Sequence, residues 1–323
     1  MHRRCVLVPL GLSAFLAGCA VLYEARVLLQ LSARPDPDAD RDFRFPGERT
    51  HWIATPDGGE LFVEECGAGR PVLLLHGHGA SMRTFSLMAS PLAAGNCRVI
   101  AMDQRGFGRS SAVPPMFGFP GLVDDAATVL EDLDLRNAVV VGHSMGGGVA
   151  LGLAVDRPEV VARRVAAIVL VNSSGRGPAD RPLTRAKVAA LDWRFLERLG
   201  RNPRHGLVLA RANFGPEPRR SHVDAVRAIG SDSPVERRRG FARRLLGIDL
   251  SRALSQVRVP VLVLAGAADV VVPIEESRRT VDLIPGARLE TFANAGHMLP
   301  LERSDEVAAE ILRLAAEVDE RSS

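Results

Sequence analysis

Ala138-Val139-Val140-Val141 runs straight into Gly142-His143-Ser144-Met145-Gly146, and Gly147-Gly148-Val149-Ala150-Leu151 follows. The apolar run reads as a buried strand, and the last stretch is compatible with a helix. Between them stands G-x-S-x-G, the pattern of a strand–turn–helix bend that exposes a serine hydroxyl. A bend that sharp crowds its flanking positions, which is why glycine is needed there. The pentapeptide alone also fits some Gly-rich turns, so its meaning depends on what the rest of the chain supplies.

A serine hydroxyl is a weak nucleophile at neutral pH. It needs a histidine to take its proton and a carboxylate to orient that histidine. Downstream, Val259-Pro260-Val261-Leu262-Val263-Leu264-Ala265 reads as another buried strand, ending in Gly266-Ala267-Ala268-Asp269. An acid at the tip of a parallel strand lies on the same sheet edge as the serine bend. Arg288-Leu289-Glu290-Thr291-Phe292 reads as a last strand, followed by Ala295-Gly296-His297-Met298. Taken singly, Asp269 would be a turn residue and His297 a surface histidine. Together, Ser144, Asp269 and His297 stand in the chain order Ser…Asp…His.

These motifs resemble those of the α/β-hydrolase superfamily, over roughly residues 48 to 318. The resemblance implies an eight-stranded, mostly parallel sheet with helices on both faces and a helical cap inserted after strand 6. It implies Ser144 as nucleophile, His297 as base and Asp269 as its partner. Val72-Leu73-Leu74-Leu75 leads into His76-Gly77-His78-Gly79, which is similar to the family's oxyanion loop. By that likeness the oxyanion donors are the backbone amides of His78 and Met145, since developing negative charge needs donors fixed in advance. Asp103-Gln104-Arg105-Gly106-Phe107-Gly108-Arg109-Ser110 matches a structural turn of the same superfamily and lacks the lysine of a phosphate loop. His76 and His143 are expected to be structural. No cofactor and no metal are implied, because His76 and His78 lack carboxylate or thiol company.

The expected activity is that of a serine esterase or lipase-like enzyme acting on a small-molecule ester. Dehalogenases and epoxide hydrolases of this fold place Asp at the elbow, and the latter use cap tyrosines. Here the elbow carries Ser144, and the only tyrosine is Tyr23. C–C bond hydrolases and cofactor-free perhydrolases share the Ser triad and remain alternatives. A receptor-like binding protein on the same fold is the non-enzymatic one.

With 323 residues, 46% of them hydrophobic, the chain has enough apolar material for one large domain. A net charge of +3 leaves no nucleic-acid footprint. Residues 1–23 have their own logic. Arg3 and Arg4 precede a run from Cys5 to Ala17 that is apolar apart from Ser13, as in a secretory leader. Leu16-Ala17-Gly18-Cys19 resembles a bacterial lipobox, with Cys19 the lipidated residue. Apolar residues continue through Tyr23, so an uncleaved membrane span from Cys5 to Tyr23 is a second reading, and an ordinary cleaved leader a third. In the first two the catalytic domain lies outside the cytoplasm, anchored at the membrane. Residues 24–47, with Pro35-Asp36-Pro37-Asp38, are expected to be a stiff acidic linker.

The core is expected over 48–173 and 247–318, and the cap over 174–246. From Arg176 to Arg244 there are 17 basic residues against seven acidic ones. Such charge reads first as a solvated helix face, and second as a surface for anionic lipid or an anionic substrate. Trp193, Phe195, Phe214 and Phe241 belong either to an acyl pocket or to the cap's own core. Cys66 and Cys97 fall at neighbouring strand ends by the resemblance, where free thiols or a disulfide are both compatible.

Overall fold

The computed structural model describes residues 10–111, 118–177, 198–233, 235–245 and 247–320. Eight strands form one sheet: β1 (Arg49–Ala54), β2 (Glu60–Cys66), β3 (Arg70–Leu75), β4 (Cys97–Met102), β5 (Ala138–His143), β6 (Val165–Val171), β7 (Val261–Gly266) and β8 (Arg288–Phe292). Their order is β1-β2-β4-β3-β5-β6-β7-β8. β2 pairs antiparallel with both β1 and β4, and every later pair is parallel.

The strands from β3 to β7 are nearly uniform apolar runs because both faces are covered. Their side chains alternate between two cores. Leu73, Leu75, Val140, Ile168, Leu170 and Val263 face one. Val72, Leu74, Val141, Val169, Leu262 and Leu264 face the other. The first core is closed by α3 (Phe119–Asp132), α4 (Met145–Asp156) and α5 (Pro158–Arg164), which contribute Leu122, Val149 and Val160. The second is closed by α2 (Ser86–Ala94) and the C-terminal helix, through Met88, Leu92, Ile311 and Leu314.

Sequence order reverses direction at β3: β4 lies on one side of it and β5 on the other. A crevice opens outside the carboxyl ends of strands at such a switch point. The loop after β3 and the bend after β5 both face it. After β6 the chain leaves the core and forms α6 (Pro203–Arg211), α7 (Arg220–Ser231) and α8 (Val235–Leu245) before returning as β7. Helix α9 (Ile274–Leu283), a short α10 (Leu299–Glu302) and α11 (Ser304–Glu320) complete the chain.

The N-terminal segment differs from the linker expectation. One helix, α1, runs from Leu10 to Ser32. Val27 and Leu31 at its end are buried with Leu207 and Ala210 of α6 and Val223 and Ala225 of α7. The acidic stretch beyond it is pinned to the start of α7. Asp36 accepts both the amide (2.6 Å) and the hydroxyl (2.8 Å) of Ser221. Buried Asp38 accepts His222 Nε2 at 2.9 Å and pairs with Arg219 and Arg41. Residues expected to be a stiff acidic linker are therefore the floor on which the cap rests. Among the described residues no helix is long and apolar enough to cross a membrane. Residues 1–9, which begin the expected anchor, lie outside the described part of the chain, and Cys19 is exposed.

Cys66 and Cys97 are buried free thiols, not a disulfide. Burial pushes the Cys66 thiol up to about 11. Phe214 and Phe241 are cap and core packing residues: Phe241 stacks on Phe107 at 4.9 Å between centroids. Trp193 and Phe195 lie outside the described residues.

Candidate active site

The bend after β5 holds Ser144 at φ 53° and ψ −117°, a left-handed conformation that is costly for a residue with a side chain. It is over-determined by its neighbours. Ser144 N–H donates to Val171 O (3.0 Å), and Ser144 O accepts from the Ser173 hydroxyl (2.6 Å) and the Gly147 amide (3.0 Å). The flanking glycines are required by space. A Cβ on Gly146 would overlap the Leu75 carbonyl, and one on Gly142 would overlap the Gly146 carbonyl.

His297 Nε2 lies 3.0 Å from Ser144 Oγ, and its Nδ1 lies 2.7 Å from Asp269 Oδ2. The carboxylate accepts, so Nδ1 carries the proton and Nε2 is left to accept from the serine. Asp269 is buried at the end of β7. Its Oδ1 accepts the amides of Val271 (2.7 Å) and Val272 (2.9 Å). Its Oδ2 also takes the side-chain amide of Asn172 at 2.5 Å. Burial works against ionisation of this acid. The His297, Asn172 and Val272 donors outweigh it and hold the carboxyl below the usual range. The three residues picked from sequence order thus meet in one hydrogen-bonded line.

The loop after β3 closes on that line. A Cβ on Gly77 would stand 3.1 Å from Ser144 Cβ. His76 beneath it is fully buried. Its Nε2 accepts the Gln104 amide (2.9 Å), so its Nδ1–H donates to Gly77 O (2.8 Å). Burial lowers its pKa to about 4, so it is neutral and structural, as expected. His143 is likewise neutral, pushed by burial to about 3, and its Nε2 donates to His297 O at 2.8 Å. The Asp103–Ser110 turn is a frame. Asp103 accepts the Met82 and Arg109 amides at 2.8 Å each, and Arg105 is clamped by Asp125 at 2.5 Å and Asp57 at 2.6 Å.

Three positions escaped the sequence reading. Asn172 directly follows β6 at φ 47° and joins Asp269 to Gly296 O (2.9 Å). Asn213, in the cap, offers its carbonyl to the amides of His297 (2.8 Å) and Met298 (3.1 Å). Glu302 accepts the amides of Gly215 (2.8 Å) and Gly296 (2.9 Å). Burial raises the Glu302 pKa, and the two amides only partly offset that. The histidine loop is therefore stitched to the cap turn 213–215 and not to the sheet alone. The only local signal was that an asparagine tolerates positive φ.

Above Ser144 is a cavity of about 540 Å³, roofed by α6, α7 and α8 and lined also by His78, Ser144 and His297. Among the described residues no cluster of three or more His, Cys, Asp or Glu is placed to hold a metal ion.

A profile described as "Alpha/beta hydrolase family" matches residues 72–310, and the chain belongs to that family. Its likeness to individual members is distributed. It is 29% identical to a non-heme haloperoxidase of Rhodococcus erythropolis, across 81% of this chain and 97% of that protein. It is 29% identical to a 2-hydroxymuconate semialdehyde hydrolase of Pseudomonas sp. (strain CF600), across 80% and 90% respectively. An esterase from Exiguobacterium antarcticum superposes with a TM-score of 0.74 at 25% identity, covering 83% of this chain and all of the other. The fold and the class of hydrolase are common ground, while the names diverge on the reaction.

Proposed function

We propose that this chain is a serine hydrolase that cleaves carboxylic esters through an acyl-enzyme on Ser144. The observation that carries the reading is the continuous line Ser144–His297–Asp269, with the serine already within hydrogen-bond reach of its base. His297 takes the hydroxyl proton as Ser144 attacks the ester carbonyl. Asp269 holds the imidazole in the required tautomer and stabilises its charged form. The oxyanion rests on the amides of His78 and Met145, the latter at the positive end of α4. The proton on His297 passes to the leaving alcohol. Water then enters and gives one proton to His297 as its oxygen attacks the acyl carbon; the acyl bond to Ser144 Oγ breaks, His297 returns the proton to that oxygen, and the acid leaves.

The test is hydrolysis of 4-nitrophenyl esters from acetyl to palmitoyl by the full chain and by Ser144→Ala. Turnover should fall by about three to six powers of ten in the variant. Equal turnover would remove Ser144 from the chemistry. The relative named as a semialdehyde hydrolase favours C–C cleavage as the second reading. A folded chain inert to every ester would move the assignment there or to a binding role.

The same reading extends to location. The apolar run from Cys5 and the Leu16–Cys19 pattern support an enzyme held at a membrane with its hydrolase domain outside the cytoplasm. Mass spectrometry of the N-terminus from the native host separates a lipidated Cys19 from an intact Met1. An N-terminus at any other residue would argue for simple cleavage.

A further inference from the structure

Helix α1 is apolar on two opposite faces. Glu24, Val27, Leu28 and Leu31 are spaced as one helical stripe and turn toward the cap, where Val27 and Leu31 are buried. Leu22, Ala25, Arg26 and Leu29 form the opposite stripe and are exposed, Leu22 at 72% and Leu29 at 70%. A helix packed on the surface of a globular domain carries polar residues on its water-facing side. The one acid in α1, Glu24, is drawn to the cap side instead, its carboxylate 3.3 Å from His205 Nε2. What faces outward is two leucines, an alanine and an arginine, the composition of a helix lying in a membrane interface.

The other exposed apolar side chains gather close by. Eight large ones are exposed among the described residues. Four belong to α1: Val21, Leu22, Tyr23 and Leu29. Three stand at the mouth of the active-site cavity: Leu209 and Val271, which line it, and Val270 beside them. The eighth, Trp52, is on the edge strand β1. Single exposed apolar residues are ordinary, but seven of eight pooled at two places mark a contact surface. Helix α6 joins the two places. Its Leu207 and Ala210 pack with α1, and its Leu209 lines the cavity. The mouth therefore lies about 10–12 Å, one helix diameter, from α1.

Lipid, and not a second copy of the chain, is the occupant that the sequence specifies. Helix α1 begins at Leu10, inside the apolar run that starts at Cys5, and Cys19 is exposed three residues before Leu22. A bilayer that holds this end of the helix meets the outward stripe next. We propose that α1 lies flat in the membrane interface with Leu22, Ala25 and Leu29 in lipid, and that it sets the cavity mouth on the bilayer, from which the site draws its esters. Leu209, Val270 and Val271 then give an acyl chain an apolar path out of the lipid layer. This rests on the membrane location and the ester chemistry proposed above, and each can fail separately from it.

The experiment has a placement arm and a kinetic arm, both on the full chain made in its native host. In the first, a photoreactive phenylalanine analogue replaces Leu22, Leu29 or Trp52, and isolated membranes are irradiated. Lipid adducts are expected at positions 22 and 29, and about tenfold fewer at 52. Adducts at 22 without 29 mean that the helix stands upright as the end of a span. Chain-to-chain adducts at 29 mean a dimer face. Either result overturns the proposal, as do equal lipid yields at all three positions or a membrane-held chain with none. A chain missing from the membrane fraction overturns the location as well.

The kinetic arm uses Leu22→Ser/Leu29→Ser, since each leucine moved from lipid to water costs about tenfold in partition. Hydrolysis of 4-nitrophenyl palmitate held in phosphatidylethanolamine–phosphatidylglycerol vesicles should fall by about tenfold or more. Hydrolysis of dissolved 4-nitrophenyl acetate should stay within about twofold. Equal loss on both esters, no loss on either, or native turnover of the acetate without the vesicle-borne ester refutes delivery from the bilayer. A native chain inert to both esters removes the ester chemistry, and the adducts then decide the placement by themselves.

Discussion

Glu302→Ala is the most informative perturbation outside the triad. In the native chain its carboxylate accepts two amides, Gly215 N–H of the cap and Gly296 N–H of the histidine loop. Truncation leaves two buried donors without that acceptor, at about 1–3 kcal/mol each. Part of this is offset, because burying the ionised carboxylate is itself unfavourable, as its raised pKa records. A net loss of about 2–4 kcal/mol in urea unfolding is expected. The catalytic effect is separable. Gly296 precedes His297, and a shift of the loop by a fraction of an ångström lengthens the 3.0 Å contact to Ser144. Misplacement on that scale lowers kcat by about 10- to 100-fold. Glu302→Gln keeps one acceptor and turns a donor toward the other amide, so it should fall between the two in both measurements. Wild-type kcat on a 4-nitrophenyl ester in Glu302→Ala would refute the claim that the cap seam positions the base.

Acid should unfold the protein early. His76, His78 and His143 are neutral in the fold, with burial pushing their pKa values down to about 4, 4 and 3 from an ordinary 6.5. Their contribution is full above pH 6.5 and is lost as pH falls toward those values. Asp103, raised by burial to about 6, works in the opposite sense between pH 6 and 3.8. Three protons gained on unfolding against one released leave about 3 kcal/mol lost per pH unit near pH 5. Urea midpoints from pH 7 to 4.5 measure it, and a flat profile would contradict the burial of these imidazoles. Gly146→Ala should cost at least about 2 kcal/mol because its Cβ meets the Leu75 carbonyl. Gly148→Ala, two positions on and 3.6 Å from Phe119, should gain about 0.5–1 kcal/mol, so similar losses at both would undo the packing argument. Asp38→Ala should destabilise by about 1–3 kcal/mol and expose residues 33–47 to limited proteolysis, since it leaves buried His222 without its acceptor. Unchanged protease resistance would mean that α1 and the Asp36–Ser221 contacts hold the segment without Asp38.

The elbow was legible because its constraint is local. Gly142 and Gly146 are dictated by atoms a few residues away or on the adjacent strand, and such constraints leave the same pattern wherever the bend occurs. The parallel sheet was legible because strands buried on both faces cannot carry polar residues. Asn172, Asn213 and Glu302 were not, because their partners are remote in sequence and each acts through one or two hydrogen bonds. The acidic segment misled for a related reason. Pro35-Asp36-Pro37-Asp38 has the composition of a spacer, and only the distant Ser221 and His222 reveal it as a dock.

The central claim is that Ser144 becomes covalently acylated. Rapid-quench mass spectrometry of the full chain mixed with a 4-nitrophenyl ester tests it directly. The account predicts one acyl group per chain, on the peptide containing Ser144, at a burst matched by released nitrophenolate and absent in Ser144→Ala. Steady hydrolysis with no acyl adduct, or an adduct on another residue that persists in Ser144→Ala, would contradict it.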